Sequence, residues 1–352
     1  MIIHFILFIL DVASVELSIV YIPQLYDILC DVSMTYVETE SVKAAETILK
    51  EAGFTVSRRC CSRPSCFDFA AKKKKTTIFV KVQPDIGNVS PNDSLDLKVI
   101  SECVSATSLF ISKKTRDKPL EDDTVYSRYN LLAVTLKTFE NMVFRKTYPL
   151  IQAGPGGYYV EINGEAIKRR RQELGLSIGE TAEMMGISRR TLYGYEREMA
   201  KASVSAAYNM ICILGIPVAK PTNIFEKSKT QHKHLLTAAR RIITKNRLLQ
   251  KIFRKLARYD IMAAPVKKAP FDFVINVPEE KMKIIGGVEN NKERELNKRI
   301  EEILSVSRVV QAHPILITDK QKPLNTEISC IHSKEFSKIK CPEDLVVNLK
   351  QA

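Results

Sequence analysis

The sequence predicts a multidomain chain, α/β plus all-α, in which a four-to-five-helix domain stands between two α/β domains. Three observations lead there. Strand-like and helix-like segments alternate from about Glu40 to Val143, the pattern of a small α/β layer. Gly164–Val218 is helical in pattern throughout. The order of the first stretch then returns: Phe271-Asp272-Phe273 repeats Phe67-Asp68-Phe69 and Lys322-Pro323-Leu324 repeats Lys118-Pro119-Leu120, both at an offset of 204 (272 − 68; 322 − 118).

In the first α/β stretch, E-S-V-K-A-A-E-T-I-L-K-E-A-G puts Val42, Ala45, Ile48 and Leu49 on one helix face and ends at Gly53. F-D-F-A-A, a lysine run and the strand T-T-I-F-V-K-V follow, then a helix near Asp93–Ala106, the strand L-F-I-S, Tyr126–Tyr129 and the helix V-T-L-K-T-F-E-N-M-V. The second stretch offers the strand K-I-I-G-G-V, a helix over Lys292–Ser305 and the strand I-L-I-T in matching order. Gly154-Pro155-Gly156-Gly157 lacks the Lys-Ser/Thr ending of a phosphate loop and reads as a turn. The domains expected are 34–148, 156–219 and 225–352.

Composition restricts the function classes. A chain of 352 residues suggests two or three domains at about 100–200 residues each. With 45% apolar and 27% charged residues it is a globular chain and not a disordered one. The net charge of +14 favours a polyanionic partner. Eleven of those charges lie between Lys227 and Arg258 with no Asp or Glu among them, so the rest of the chain nets only +3 (14 − 11). That segment carries an apolar stripe including Leu235, Ala239, Ile242, Leu249 and Phe253. Two readings stand: a helix docked on the core with a solvated basic face, or a supplementary DNA-backbone contact. The eight cysteines lack paired C-x-x-C spacing and read as reduced thiols without metal. Residues 1–33 open with an apolar run too short to span a bilayer and without the basic start of a signal peptide; a non-native start, with the fold beginning near Met34, is the expectation taken.

The middle segment carries the chemistry. G-E-A-I-K-R-R-R-Q-E-L forms a first helix closed by Gly175. Ser177-Ile178-Gly179-Glu180 is a capping box opening a second helix with the small Ala182 inside it. Gly186 gives a tight turn, Ile187 plugs the core, and Ser188 caps R-R-T-L-Y-G-Y-E-R. A last helix, Ser203–Leu214, turns Ala206, Met210 and Ile213 towards the others. Two short helices around a glycine turn, the second starting with basic residues, fit a helix-turn-helix.

G-L-S-I-G-E-T-A-E-M-M-G-I-S-R-R-T-L-Y-G-Y-E resembles the helix-turn-helix of phage repressor and Cro-type (Xre-like) regulators, with Glu198 where the family has glycine. Together with S-C-F-D-F-A-A, T-R-D-K-P-L-E-D-D-T-V-Y-S-R-Y and A-G-P-G-G-Y-Y-V-E-I-N-G-E-A-I-K-R-R-R, it makes the wider chain similar to a family of archaeal transcriptional regulators of this type. The resemblance implies Arg189, Arg190, Thr191, Tyr193 and Gly194 on a recognition helix capped by Ser188 in the major groove. It also implies Ser177, Ile178 and Gly179 at a helix N-terminus facing a phosphate, Arg197 and Lys201 as phosphate contacts, and Leu192 and Tyr195 in the core. Arg171 would pair with Glu196. Lys168 and Arg169 are open to two readings, solvated or bound to DNA backbone.

Each α/β copy resembles the restriction-endonuclease (PD-(D/E)XK) core of archaeal Holliday-junction resolvases, in which an Asp and a Glu-x-Lys hold Mg²⁺. Here Asp68 faces Lys81-Val82-Gln83, with a lysine at the second carboxylate position, and Asp272 faces Gly286-Gly287 with Glu289 nearby. Asp85 could substitute only with a register slip. The expectation is therefore two degenerate nuclease-like domains flanking a repressor-type domain in a sequence-specific transcriptional regulator. It would be no enzyme, with no cofactor or metal, acting as a cytoplasmic homodimer on double-stranded DNA and away from membranes. The alternatives are a metal-dependent nuclease or junction resolvase and a structural DNA-associated adaptor.

Overall fold

The computed structural model describes residues 40–226, 249–250, 253–254, 261–289, 295–319 and 327–338. The chain divides into two units, Met1–Lys43 and Ala44–Ala352, and the described strands lie in the second. The expectations on residues 1–33, on Lys322-Pro323-Leu324 and on most of the basic segment 227–258 lie outside the described residues.

Helix α1 (40–51) buries Ala45 and Leu49 and ends at Gly53, whose φ of +79° suits glycine. Strands β1 (Thr55–Val56), β2 (Phe69–Lys73) and β3 (Thr76–Val82) form an antiparallel meander, with the lysine run at the β2–β3 turn. Helix α2 (Pro91–Cys103) crosses to β4 (Thr107–Ile111), which pairs parallel with β3. It begins earlier than its apolar pattern suggested, because Ser90 accepts the Asp93 N–H and Pro91 supplies a first turn that needs no donor. The small strands β5 (Lys114–Thr115) and β6 (Lys118–Pro119) precede β7 (Thr124–Arg128) and β8 (Leu131–Val134). Helix α3 (Leu136–Glu140) continues into one π-helical turn, Asn141–Arg145.

β9 (Ile151–Gly154) and β10 (Gly157–Ile162) form a hairpin around Pro155-Gly156, as the turn reading required. β9 also pairs parallel with β7, so the sheet runs from the first α/β unit into the helical domain in the order β1-β2-β3-β4-β8-β7-β9-β10-β11. Nothing in the sequence periodicity signalled that continuity. Helices α4 (Gly164–Glu173), α5 (Ile178–Met184), α6 (Arg189–Glu196) and α7 (Val204–Leu214) follow. β11 (Ala202–Ser203) and β12 (Ala219–Lys220) return to β10.

Beyond the helical domain, β13 (Met262–Pro265), β14 (Phe273–Val277), β15 (Met282–Val288), α8 (Leu296–Val310), β16 (His313–Thr318), β17 (Ser329–His332) and α9 (Ser333–Lys338) build a five-stranded sheet in sequence order. The register matches that of the N-terminal α/β sheet: Ile78 pairs with Thr107 and Ile284 with His313, an offset of 206 for both (284 − 78; 313 − 107). Helix α8 runs five residues past the expected Ser305 and stops in a left-handed Gln311, the counterpart of left-handed Ser105 after α2 (311 − 105 = 206). One apolar core joins the two sheets' facing helices and includes Phe67, Phe79, Ile100, Phe271, Ile285 and Val306.

Candidate nucleic-acid interface

Each helix of the central domain starts where a side chain satisfies its orphan amides. Asn163 accepts the Ala166 N–H at 3.1 Å for α4. Ser177 Oγ accepts the Glu180 N–H at 3.1 Å while Glu180 accepts the Ser177 N–H at 2.8 Å, the complete capping box read from sequence. The Ser177 backbone N–H, with its side chain, holds the Glu180 carboxyl below its usual range. Ser188 accepts the Thr191 N–H at 3.0 Å and Ser203 the Ala206 N–H at 3.2 Å. The Ser188 and Thr191 hydroxyls also bond each other at 2.8 Å. Ala182, Leu192, Tyr195 and Met210 are buried in one core, with Ile187, Ala206 and Ile213 packed against it.

Two contacts fix α6 against α4. The Arg171 guanidinium donates to both Glu196 oxygens at 2.5 and 3.2 Å, and to the Leu176 carbonyl at 2.8 Å. Both partners of the ion pair are nearly inaccessible, and Glu196 holds the guanidinium's pKa up. Gly164 lets the backbones touch: a Cβ there would stand 2.4 Å from the Tyr195 carbonyl oxygen. Sequence reasoning had missed this glycine, which only the close helix approach explains. Glu198 has φ +56°, the left-handed region that accounts for glycine in the related motif. Its carboxylate accepts the Gly164 N–H at 3.2 Å and pairs with Lys220, which offsets the strain and keeps its pKa low.

With Leu192 and Tyr195 inward, Arg190, Tyr193, Gly194 and Arg197 fall at i, i+3, i+4 and i+7 on the outer face of α6. Arg190, Tyr193 and Arg197 are exposed, and the Arg197 guanidinium stacks on the Tyr193 ring at 4.5 Å. Nothing stands within 4 Å of the place where a Gly194 Cβ would be, so packing does not demand that glycine. Arg189 lies off this row: its guanidinium reaches within 3.1 Å of where a Gly179 Cβ would stand. Ser177, Ile178, Gly179, Arg189, Arg190 and Tyr193 thus line one open depression at the N-terminal ends of α5 and α6. Lys168 and Arg169 are exposed on α4, Arg169 4.0 Å from Glu173. Lys201 bonds Gln152 and lies 3.4 Å from Glu161, because β10 and β11 bring those side chains together.

The nuclease-like positions have other partners. Asp68 is buried, with one oxygen 3.0 Å from the Lys81 ammonium and the other accepting the Val82 N–H at 2.7 Å. Asp85 caps the short 3₁₀ turn Ile86–Asn88, accepting the Gly87 and Arg116 N–H groups at 2.7 and 2.8 Å. Asp272 accepts the Val288 N–H at 2.6 Å and is clasped by Arg63 at 2.9 Å and Arg299 at 2.5 Å. Glu289 bonds the Thr318 hydroxyl. These residues do not fit a divalent cation, which needs converging oxygens and would meet an ammonium or guanidinium instead. Among the described residues no group of three or more His, Cys, Asp or Glu is placed to hold a metal. Cys60, Cys66 and Cys103 are buried, and burial pushes each thiol's pKa up. No helix among the described residues is long and apolar enough to cross a membrane.

Residues 38–149 match the model of the PD-(D/E)XK superfamily domain, and residues 167–220 that of a helix-turn-helix. A protein of Methanosarcina acetivorans named "Putative HTH-type transcriptional regulatory protein" is 29% identical over 315 residues, covering 85% of this chain and 92% of that protein. A Thermococcus gammatolerans protein of the same name is 29% identical over 300 residues, with the same coverage. One from Pyrococcus furiosus is 26% identical over 307 residues, 87% of this chain and 95% of its own length. No solved structure matches the chain.

Proposed function

We propose that this chain, which joins a PD-(D/E)XK superfamily domain to a helix-turn-helix and resembles archaeal regulators along most of its length, is a sequence-specific DNA-binding regulator of transcription without nuclease chemistry. The observation that carries the reading is the outward row Arg190, Tyr193, Gly194 and Arg197 on a helix whose other face is anchored by Leu192 and Tyr195. Set in a major groove, that row offers a guanidinium to guanine O6 and N7, and Gly194 allows close approach. The Ile178 and Gly179 amides have no carbonyl one turn back within α5, so they face a phosphate beside Arg189. Ser177, Ser188 and Thr191 act by holding the two helix starts in place. Lys168 and Arg197 add backbone contacts. Two chains on one duplex would read half-sites about 34 Å apart.

The superfamily match of residues 38–149 is what favours the nuclease alternative. Lys81 on Asp68, and Arg63 and Arg299 on Asp272, argue against it. Gel-shift competition on genomic fragments at fixed salt tests both. Selection of a symmetric site, with Arg190→Ala relaxing base preference, supports the regulator. Mg²⁺-dependent cleavage abolished by Asp68→Ala overturns it.

A further inference from the structure

The two α/β units grip one another through equivalent atoms. On α8, Glu302 accepts the backbone N–H groups of Cys61 at 2.9 Å and Ser62 at 2.8 Å, and the Ser62 hydroxyl at 2.5 Å. On α2, Asp96 accepts the backbone N–H groups of Lys267 and Lys268, each at 3.0 Å. The offset that superimposes the strand registers also carries one arrangement onto the other: Asp96 to Glu302 and Cys61-Ser62 to Lys267-Lys268 (302 − 96, 267 − 61 and 268 − 62 are all 206). Each unit's helix therefore offers a carboxylate, at the same position, to the same loop of the other unit.

Further contacts join the same two α/β units, though not all of them reciprocally. Phe67 and Phe271, the first residues of the repeated Phe-Asp-Phe, meet with ring centroids 6.1 Å apart, and both are fully buried. The Cys66 N–H donates to the Lys268 carbonyl at 2.9 Å, and Lys268 pairs with Asp93 at 2.7 Å. Asp96 and Glu302 are both buried, so the donated N–H groups are what makes their burial tolerable. Reciprocity of this kind, residue i on j and j on i, is the signature of an isologous twofold interface between identical subunits. Here both sides belong to one chain.

We propose that the C-terminal α/β unit is the built-in dimerisation partner of the N-terminal one. The face through which a single α/β unit would pair with a second copy is filled in cis by the Lys267–Phe271 segment and helix α8, with one helix-turn-helix per pair. A second chain, where one is recruited, docks elsewhere. The proposal does not depend on DNA binding and can fail while that reading stands.

Zero-length carbodiimide cross-linking of the full chain tests it. Unlabelled and ¹⁵N-labelled protein are co-refolded from a mixture and cross-linked, and the Lys268–Asp93 peptide pair is read by mass spectrometry. The pair is expected only between peptides of the same label. Pairs of mixed label would show the face joining two chains and overturn the proposal. Hydrogen exchange supplies the second arm. Glu302→Ala should speed exchange at Cys61 and Ser62 roughly tenfold or more, and Asp96→Ala should do so at Lys267 and Lys268. Glu302→Gln, which keeps an acceptor, should restore most of the protection, with the α4–α7 amides unchanged as the control for folding. Unaltered exchange at those amides in both alanine variants overturns the proposal.

Discussion

The paired α/β units and the helix-turn-helix use their cations in opposite ways. In the α/β units, Lys81, Arg63 and Arg299 are drawn onto Asp68 and Asp272, and Arg299 is almost completely buried. In the helix-turn-helix, one cation, Arg171, is drawn inward in the same manner, while Arg189 and Arg190 are exposed. Among the described residues neither of the two has a carboxylate at ion-pair distance. The difference separates charge that holds the fold from charge available to a partner, which net charge could not do. Both aspartates bond a strand amide, at Val82 and Val288, although the side chains that face them differ, Lys81 in one unit and Arg63 with Arg299 in the other.

Removing an inward cation should destabilise most. Arg299→Ala leaves the half-buried Asp272 with Arg63 and the Val288 N–H and takes donors from the Pro270 and Val288 carbonyls; unfolding free energy in urea should fall by about 2–4 kcal/mol. Arg171→Ala should cost a similar amount, because Glu196 is left buried, and should also disturb DNA binding by loosening α6. An unchanged urea midpoint in either variant would break the comparison.

Lys81→Glu sharpens it by setting a second carboxylate beside Asp68. Melting temperature should drop without metal and recover in millimolar Mg²⁺, while the unsubstituted chain is unmoved by Mg²⁺. A Mg²⁺-dependent rise in the unsubstituted chain would return the catalytic reading. The outward cations should do the reverse of the inward ones. Arg190→Ala should leave stability within about 0.5 kcal/mol yet remove about 1–3 kcal/mol of base discrimination, measured by competition binding. Smallest is Lys168→Ala: affinity should weaken alike on all sequences, and the slope of log K against log salt should shrink by about 0.9, seen in anisotropy titrations. A sequence-dependent loss would move Lys168 from backbone contact to readout.

The helix-turn-helix was legible because its signals are local. Ser177 with Glu180, Ser188, Gly186 and the Leu192–Tyr195 spacing each lie within a few residues of the bond or turn they specify. Arg171–Glu196 spans 25 residues and was reached by resemblance and not by spacing. Gly164 escaped notice since only the approach of the Tyr195 carbonyl gives it a role. The repeat was visible in two triplets, and Asp68 beside Lys81 was reached through the resemblance to the nuclease core. The reciprocal bonds of Asp96 and Glu302 join residues 171 and 241 positions apart, and no period or cap marks such a pair. The parallel pairing of β7 with β9 was hidden for the same reason, being two short registers at Thr124–Ile151 and Val125–Gln152.

The central claim is that α6 reads sequence through its outward row while the α/β units do no chemistry. Selection of binding sites from a random duplex library, run in parallel with the unsubstituted chain and Arg190→Ala, tests it most directly. The unsubstituted chain should enrich a symmetric site with guanine at a fixed position in each half, and Arg190→Ala should still bind DNA but lose that guanine preference. Enrichment of the same site by both proteins, or of none by either, would contradict the account.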